Sequence, residues 1–132
     1  MCSIRTAESV CAGHPDKLAD QIADQILDDI LYDDKAARVA VEVMAAGRRI
    51  IVTGEITTNH RPRIRESVRT ALARAGYSPL GILIYVWTRR QSSDINAGVT
   101  TSLEARGGDS SAFALQGAGD QGTVYGLSLI HI

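Results

Sequence analysis

Between residues 15 and 31 the apolar positions recur every four residues: Leu18, Ile22, Ile26 and Ile30 form one row, with Ala19, Ala23, Leu27 and Leu31 beside it. A stripe of that width predicts a helix lying on a core. Asp16, Asp20, Asp24 and Asp28 repeat at the same spacing on another face, where like charges four apart repel and point into water. The period then changes to two. Val39, Val41 and Val43 alternate with Ala40, Glu42 and Met44 over residues 38–44, and Ile51, Thr53, Glu55 and Thr57 share one face of residues 49–58. With Gly47 between them, the two runs predict an antiparallel hairpin, and a register near symmetric about the turn puts Glu42 and Glu55 on the same face. A second helix is expected from Pro62, with Ile64, Val68, Leu72 and Ala75 inward and Gly76 as its stop. Residues 82–88 then read as a strand at least partly covered on both faces, with Leu83, Tyr85 and Trp87 on one side and Ile82, Ile84 and Val86 on the other. A short first strand at residues 4–7 completes the order strand, helix, strand, strand, helix, strand. The expected fold is therefore α+β, a two-layer sandwich: a mixed or antiparallel sheet with two helices on one face, in split βαβ order.

After Trp87 the periodicity is lost. Residues 89–122 are rich in Gly, Ser, Ala and Asp, and so long a stretch without a period in a compact chain reads as a lid or as disorder. The whole chain has 132 residues, 45% hydrophobic and 22% charged, with a net charge of -1, which suits one soluble domain with a modest core. No charge field calls for nucleic acid or a membrane surface. Arginines gather between Arg61 and Arg74, as expected of a solvated or intersubunit helix face. Cys2 and Cys11 make no disulfide framework and fit a reducing compartment. No segment reaches transmembrane length and the N-terminus lacks a signal-type apolar core, so a cytoplasmic location is expected.

Candidate chemistry starts at Gly13-His14-Pro15-Asp16-Lys17, which opens the first helix. Pro15 suits the first helical turn and leaves His14 at the cap, so the polar groups gather where free amides and the positive dipole end favour an anion, above all a phosphate. A carboxylate at Asp16 suits a hard cation such as magnesium, Lys17 adds a point charge, and His14 can donate a hydrogen bond or a proton near neutral pH. The plainer alternatives are a capping histidine and a first-turn acid that complements the dipole. For Glu42 and Glu55 the plain alternative is a solvent-facing strand carboxylate; paired on one face, they suit a cation or an amine.

The flanking segments add to this. Glu8-Ser9-Val10, then the His14 stretch, then Gly54-Glu55-Ile56-Thr57-Thr58, Gln91-Ser92-Ser93-Asp94-Ile95 and Gly117-Ala118-Gly119-Asp120-Gln121-Gly122 follow in an order that resembles the N-terminal part of the S-adenosylmethionine synthetase (methionine adenosyltransferase) family. The resemblance covers residues 5–126. It implies synthesis of S-adenosylmethionine from ATP and L-methionine, with release and hydrolysis of tripolyphosphate. It implies that His14 is catalytic and, with Lys17, touches the polyphosphate. By the same resemblance Asp16 is a magnesium ligand, Glu42 a potassium ligand, and Glu55, Gln91 and Asp120 contact methionine. Gln91, Ser92, Ser93, Asp94 and Ile95 open a mobile lid loop. Ser93 stands where the family usually has Pro, the stretch 102–115 is longer than in many relatives, and residues 127–132 do not resemble the family's continuation. The implied division is an α+β domain over 1–98, the lid over 99–122, and the start of a truncated further domain with an unrelated tail over 123–132. The family's active site lies between subunits of a homodimer or homotetramer, and its further domains are absent, so this chain alone is expected not to turn over. A non-catalytic assembly or binding module is the alternative reading. An RNA-binding module shares the split βαβ order, and Tyr85 and Trp87 share a strand face, but it would need an aromatic, glycine-bearing motif on a central strand and a basic surface, and the sequence offers neither.

Overall fold

Both periods become secondary structure in the computed structural model, which describes residue 4, residues 6–91 and residues 107–108. The four-residue stripe is helix α1, Pro15–Asp33, with Leu18, Ile22, Ile26 and Ile30 buried. Asp20, Asp24 and Asp28 face solvent, as their mutual repulsion requires. The alternating runs are β1 (Arg38–Ala46) and β2 (Arg49–Thr57), paired antiparallel from Arg38↔Thr57 to Ala46↔Arg49. Gly47 has φ +55° at the first central position of the two-residue turn, a conformation that costs glycine nothing. Helix α2 (Ile64–Arg74) crosses over to β3 (Leu83–Arg89), which runs parallel to β2. The sheet order is β1-β2-β3, so the hairpin's second strand is central.

Both helices cover one face of this mixed sheet. Ile22, Ile26, Val52, Val68 and Leu72 form the centre of the core, and Val39, Val41, Val43, Ile84 and Val86 pack against it. Among the described residues, Gln25 and Ser67 are the buried polar ones, and Gln25 links the helices. Its amide donates to Asp29 Oδ1 at 2.8 Å and accepts from Arg74 Nη1 at 2.6 Å, joining α1 to α2. At the turn end of the sheet, Arg48 donates from Nε to Gly81 O and from Nη2 to Leu80 O, both at 3.0 Å, and so ties the hairpin to the start of β3.

Three expectations need correction. Residues 4, 6 and 7 form no strand, and Ile4 is 92% exposed. One large aliphatic side chain in so short a run buries too little to offset the ordering of its backbone. Helix α2 begins at Ile64, not Pro62, because Arg63, at φ -96° and ψ 51°, is outside the helical region and serves as the N-cap; upstream, Asp34, the C-cap of α1, accepts at Oδ2 from Thr58 Oγ1 at 2.9 Å and Asn59 N at 2.8 Å. The second face of β3 is open. Leu83, Tyr85 and Trp87 are 52%, 49% and 82% exposed, so apolar character on both faces did not mean cover on both. All five elements lie in a compact unit, Val10–Arg90; a second unit comprises Met1–Ser9 and Gln91–Ile132. The expected lid and tail fall outside the described residues, apart from residues 107–108.

The bonds to Asp34 have a pH consequence. Donation from the Asn59 amide, then from Thr58, with the Ala36 amide also contributing, holds its carboxyl below the ordinary 3.8 against a smaller opposing effect of burial. A depressed folded-state pKa means that the charged form stabilises the fold, fully above the unfolded-state value and decreasingly as pH falls through the folded one. In thermal unfolding at a series of pH values, the stability advantage of the wild type over Asp34→Asn is expected to hold above about pH 5 and to shrink below the ordinary carboxylate value.

Candidate active site

The N-terminus of α1 is assembled by three contacts. His14 caps the helix with extended backbone, and its Nδ1 accepts from the Asp16 amide at 3.2 Å. A neutral imidazole whose Nδ1 accepts must carry its proton on Nε2, so the cap leaves an N–H donor on the outer edge of the ring. Asp16 Oδ2 lies 3.8 Å from the same Nδ1, and the Asp16 side chain is 87% exposed. Lys17 Nζ donates to Val10 O, closing the loop on itself instead of pairing with Asp20 or Gln21. Two of its three N–H donors have no partner among the described residues and are left over for an anion.

Tyr77 is a third support, which the sequence did not point to. Gly76, φ +83°, ends α2 in a left-handed turn, with Gly76 N to Ala73 O at 3.1 Å and Tyr77 N to Leu72 O at 2.9 Å. That turn aims Tyr77 across to the loop before α1, where its Oη donates to Gly13 O at 2.9 Å. A Cβ on Gly13 would meet this Oη at 2.8 Å, so the glycine admits the phenol. Tyr77→Phe is expected to cost about 1 kcal/mol or less, because Gly13 O can turn to water. It should nonetheless shift the His14 ring signals in ¹H–¹⁵N spectra, as the loop holding the cap loosens.

Glu42 and Glu55 lie together on the open sheet face. Glu42 pairs with Thr53 and Glu55 with Ala40, so the two are diagonal neighbours, with side-chain bases about 7 Å apart. Glu42 is exposed; Glu55 is 16% exposed in its side chain, and its Oε1 receives Arg89 Nε at 3.0 Å. Arg89 stands directly opposite Glu55 in the parallel register. Arg38, near Glu55 at the start of β1, has an Nη1 that is buried without a hydrogen-bond partner among the described residues. Gly54 lets β1 approach beside Glu55: its φ is +126°, and a Cβ there would lie 2.1 Å from Ala40 O. Tyr85 and Trp87 share this face on an edge strand.

His14, Asp16 and Lys17 come together, as do Glu42 and Glu55, but no hydrogen bond or ion pair joins the two groups among the described residues. Asp34, at the far end of α1, clasps Thr58 and Asn59 just beyond β2, which places Glu55 near that end. The 19 residues of α1 put His14 about 28 Å away from Asp34 along the helix. Gln91 is half-buried just after β3, in the second unit, while Ser92, Ser93, Asp94, Ile95 and Asp120 lie outside the described residues. None of the predicted residues lines the cleft of about 350 Å³ bounded by Asp29, Tyr32, His60, Arg61 and Arg63.

No group of three or more His, Cys, Asp or Glu residues stands ready to hold a metal among the described residues. A single exposed carboxylate at a phosphate-favouring helix end nevertheless suits magnesium, which typically takes one or two protein carboxylates and completes its shell with substrate phosphates and water. Asp16 fits that part, and Glu42 can give one oxygen to a larger cation.

Comparison with known proteins bears on the whole set. The family described as S-adenosylmethionine synthetase, N-terminal domain, matches residues 3–96. The chain belongs to the S-adenosylmethionine synthetase family. It is 45% identical over 130 residues to the S-adenosylmethionine synthase of Finegoldia magna, covering 93% of this chain and 33% of that protein. It is 43% identical over 133 residues to the synthase of Nocardia farcinica, covering 93% and 32%. The structure of an unusual S-adenosylmethionine synthetase from Campylobacter jejuni superposes with a TM-score of 0.59 at 33% identity, over 69% of this chain and 26% of that one. The chain thus spans about a third of the length of the curated synthases it matches.

Proposed function

We propose that this chain supplies part of an active site that forms S-adenosylmethionine from ATP and L-methionine and then hydrolyses the tripolyphosphate. The observation that carries the reading is the His14 cap, which presents an Nε2–H donor beside Asp16 and Lys17 at a helix N-terminus, inside the segment matched by the family. In the reaction the methionine sulfur gives a lone pair to ribose C5′ and the C5′–O5′ bond breaks, its electrons leaving with the polyphosphate. Charge therefore grows on O5′. A hydrogen bond from His14 Nε2 to that oxygen strengthens as the charge grows and favours the transition state over the ground state. Asp16 holds magnesium, whose charge offsets that of the phosphates, and Lys17 adds its remaining donors to them. Glu55, with Gln91 and Asp120, binds methionine; Glu42 holds potassium. Residues 99–122 form the lid and, on closing, keep water from the ATP.

Two considerations support a homo-oligomer as the working form. Glu55 lies about 10 Å along the strand from Thr58, at the Asp34 end of α1, whereas His14 caps the opposite end of that helix about 28 Å away, so the two stand well apart in one copy. Sulfur and C5′ must meet at about 3–3.5 Å, and the short carbon chain of methionine cannot bridge such a gap. His14 of one copy and Glu55 of another then serve one substrate pair. No helix among the described residues is long and apolar enough to cross a membrane, and we place the chain in the cytoplasm with its soluble substrates.

The test is S-adenosylmethionine formation from ATP, methionine, magnesium and potassium. It compares the chain alone with a chimera in which residues 1–126 replace the matching third of the Finegoldia magna synthase. The chimera is expected to turn over and the chain alone not. A folded chimera that binds neither substrate would instead favour a non-catalytic assembly or binding module.

A further inference from the structure

We propose that Arg89, paired with Glu55, selects the substrate as a free α-amino acid: Arg89 takes the α-carboxylate, Glu55 the α-ammonium, and the exposed ring of Trp87 the apolar side chain. This rests on the reading of Glu55 as an amine-binding group. The ion pair uses Arg89 Nε and Glu55 Oε1, at 3.0 Å. The four N–H bonds on the Nη atoms of Arg89, and Oε2 of Glu55, engage no protein partner among the described residues. The two side chains are held unequally. Glu55 is 16% exposed and Arg89 82%, so the carboxylate is fixed at the sheet while the guanidinium reaches outward from the edge strand.

A pair so placed carries no net charge but a strong local dipole. It does not attract a polyanion; it matches a molecule with ammonium and carboxylate on one carbon, whose dipole lies antiparallel to its own. The planar fork of an arginine suits a carboxylate better than a lysine would. Trp87 is diagonal to Glu55 and two residues from Arg89 on the same face, 82% exposed, and offers a flat apolar surface to an unbranched thioether. The buried, unpartnered Nη1 of Arg38 near Glu55 leaves this face with donors in excess of acceptors.

The experiment uses the 132-residue chain and three probes: methionine, 3-(methylthio)propylamine, which lacks the carboxylate, and 4-(methylthio)butanoate, which lacks the amine. Binding is read from the shift of the Trp87 indole N–H signal, and β3 amide signals report that each variant is folded. Methionine is expected to shift this signal at lower concentration than either analogue. Arg89→Ala should weaken methionine about tenfold while leaving the amine unchanged or tighter, and Arg89→Lys should fall between. Glu55→Gln should weaken methionine and the amine together. If Arg89→Ala binds methionine as well as the wild type or better, Arg89 is a neutral bystander or an internal plug on Glu55, and the clamp is overturned. If Glu55→Gln leaves both methionine and the amine unaffected, the amine-binding reading itself fails. A wild-type chain in which methionine causes no shift overturns the clamp as well.

Discussion

His14→Ala, made in the chimera with the Finegoldia magna synthase, is expected to lower kcat by about 10²–10³ with little change in KM for methionine. In the proposed role the hydrogen bond from the imidazole to O5′ strengthens as the C5′–O5′ bond lengthens, so its loss should weigh on the transition state more than on substrate binding. The same substitution removes the helix cap, at a cost of about 1 kcal/mol, and a loss of rate through loosened structure must be told apart from a loss of the donor. His14→Asn does this. The asparagine oxygen can accept from the Asp16 amide as His14 Nδ1 does, so the cap and the melting temperature should be kept while the rate stays low. A His14→Asn chimera with wild-type kcat would mean that His14 serves the helix and not the chemistry.

Gly54→Ala is expected to have the largest effect on stability, about 3 kcal/mol or more, out of a total of about 5–15 kcal/mol for a domain of this kind. The new methyl would lie 2.1 Å from Ala40 O and 2.9 Å from Val41 Cα, and both are backbone atoms of a paired strand that cannot swing aside. The φ of +126° is strained for any side chain besides. The variant must part β1 from β2 next to Glu55, so urea unfolding should show a sharply lower midpoint and the Glu55 amide signal should move furthest. Gly47→Asn is the comparison. With φ +55° and no atom within 4 Å of a Cβ, that turn should accept asparagine with little loss.

The legible parts of the fold were those governed by local period. The four-residue stripe of α1 and the alternation on either side of Gly47 each set a face by themselves, and the hairpin turn then fixed Glu42 and Glu55 on one side. Contacts made by side chains distant in sequence were not legible. Gln25 reads as one more polar residue until Arg74 arrives from another helix, and Arg89 reads as a solvent arginine until the parallel register sets it opposite Glu55. Tyr77 is aimed by the positive φ of Gly76, a backbone property that composition does not reveal. The absence of strand at residues 4, 6 and 7 shows the converse: one large aliphatic residue in a β-compatible run supplies a propensity but no partner. In the candidate site, the ordered motifs nominated the residues and the structure brings His14, Asp16 and Lys17 together, whereas the wide spacing of His14 from Glu55 followed only once α1 had a length and Asp34 an anchor.

The mixed sheet also dictates an order of assembly. β1 and β2 meet across a two-residue turn, so their ladder closes over a short loop and can form early. β3 has no such route: Leu83 reaches Arg49 only after α2 has been laid down between them, a closure of much larger entropy. The hairpin is then the template and β3 the late arrival, fastened at its first residues by Arg48. Arg89, at its last position, is the end of the zipper. Glu55 is made with the template, and its cationic partner reaches it only when the third strand has closed along its full length.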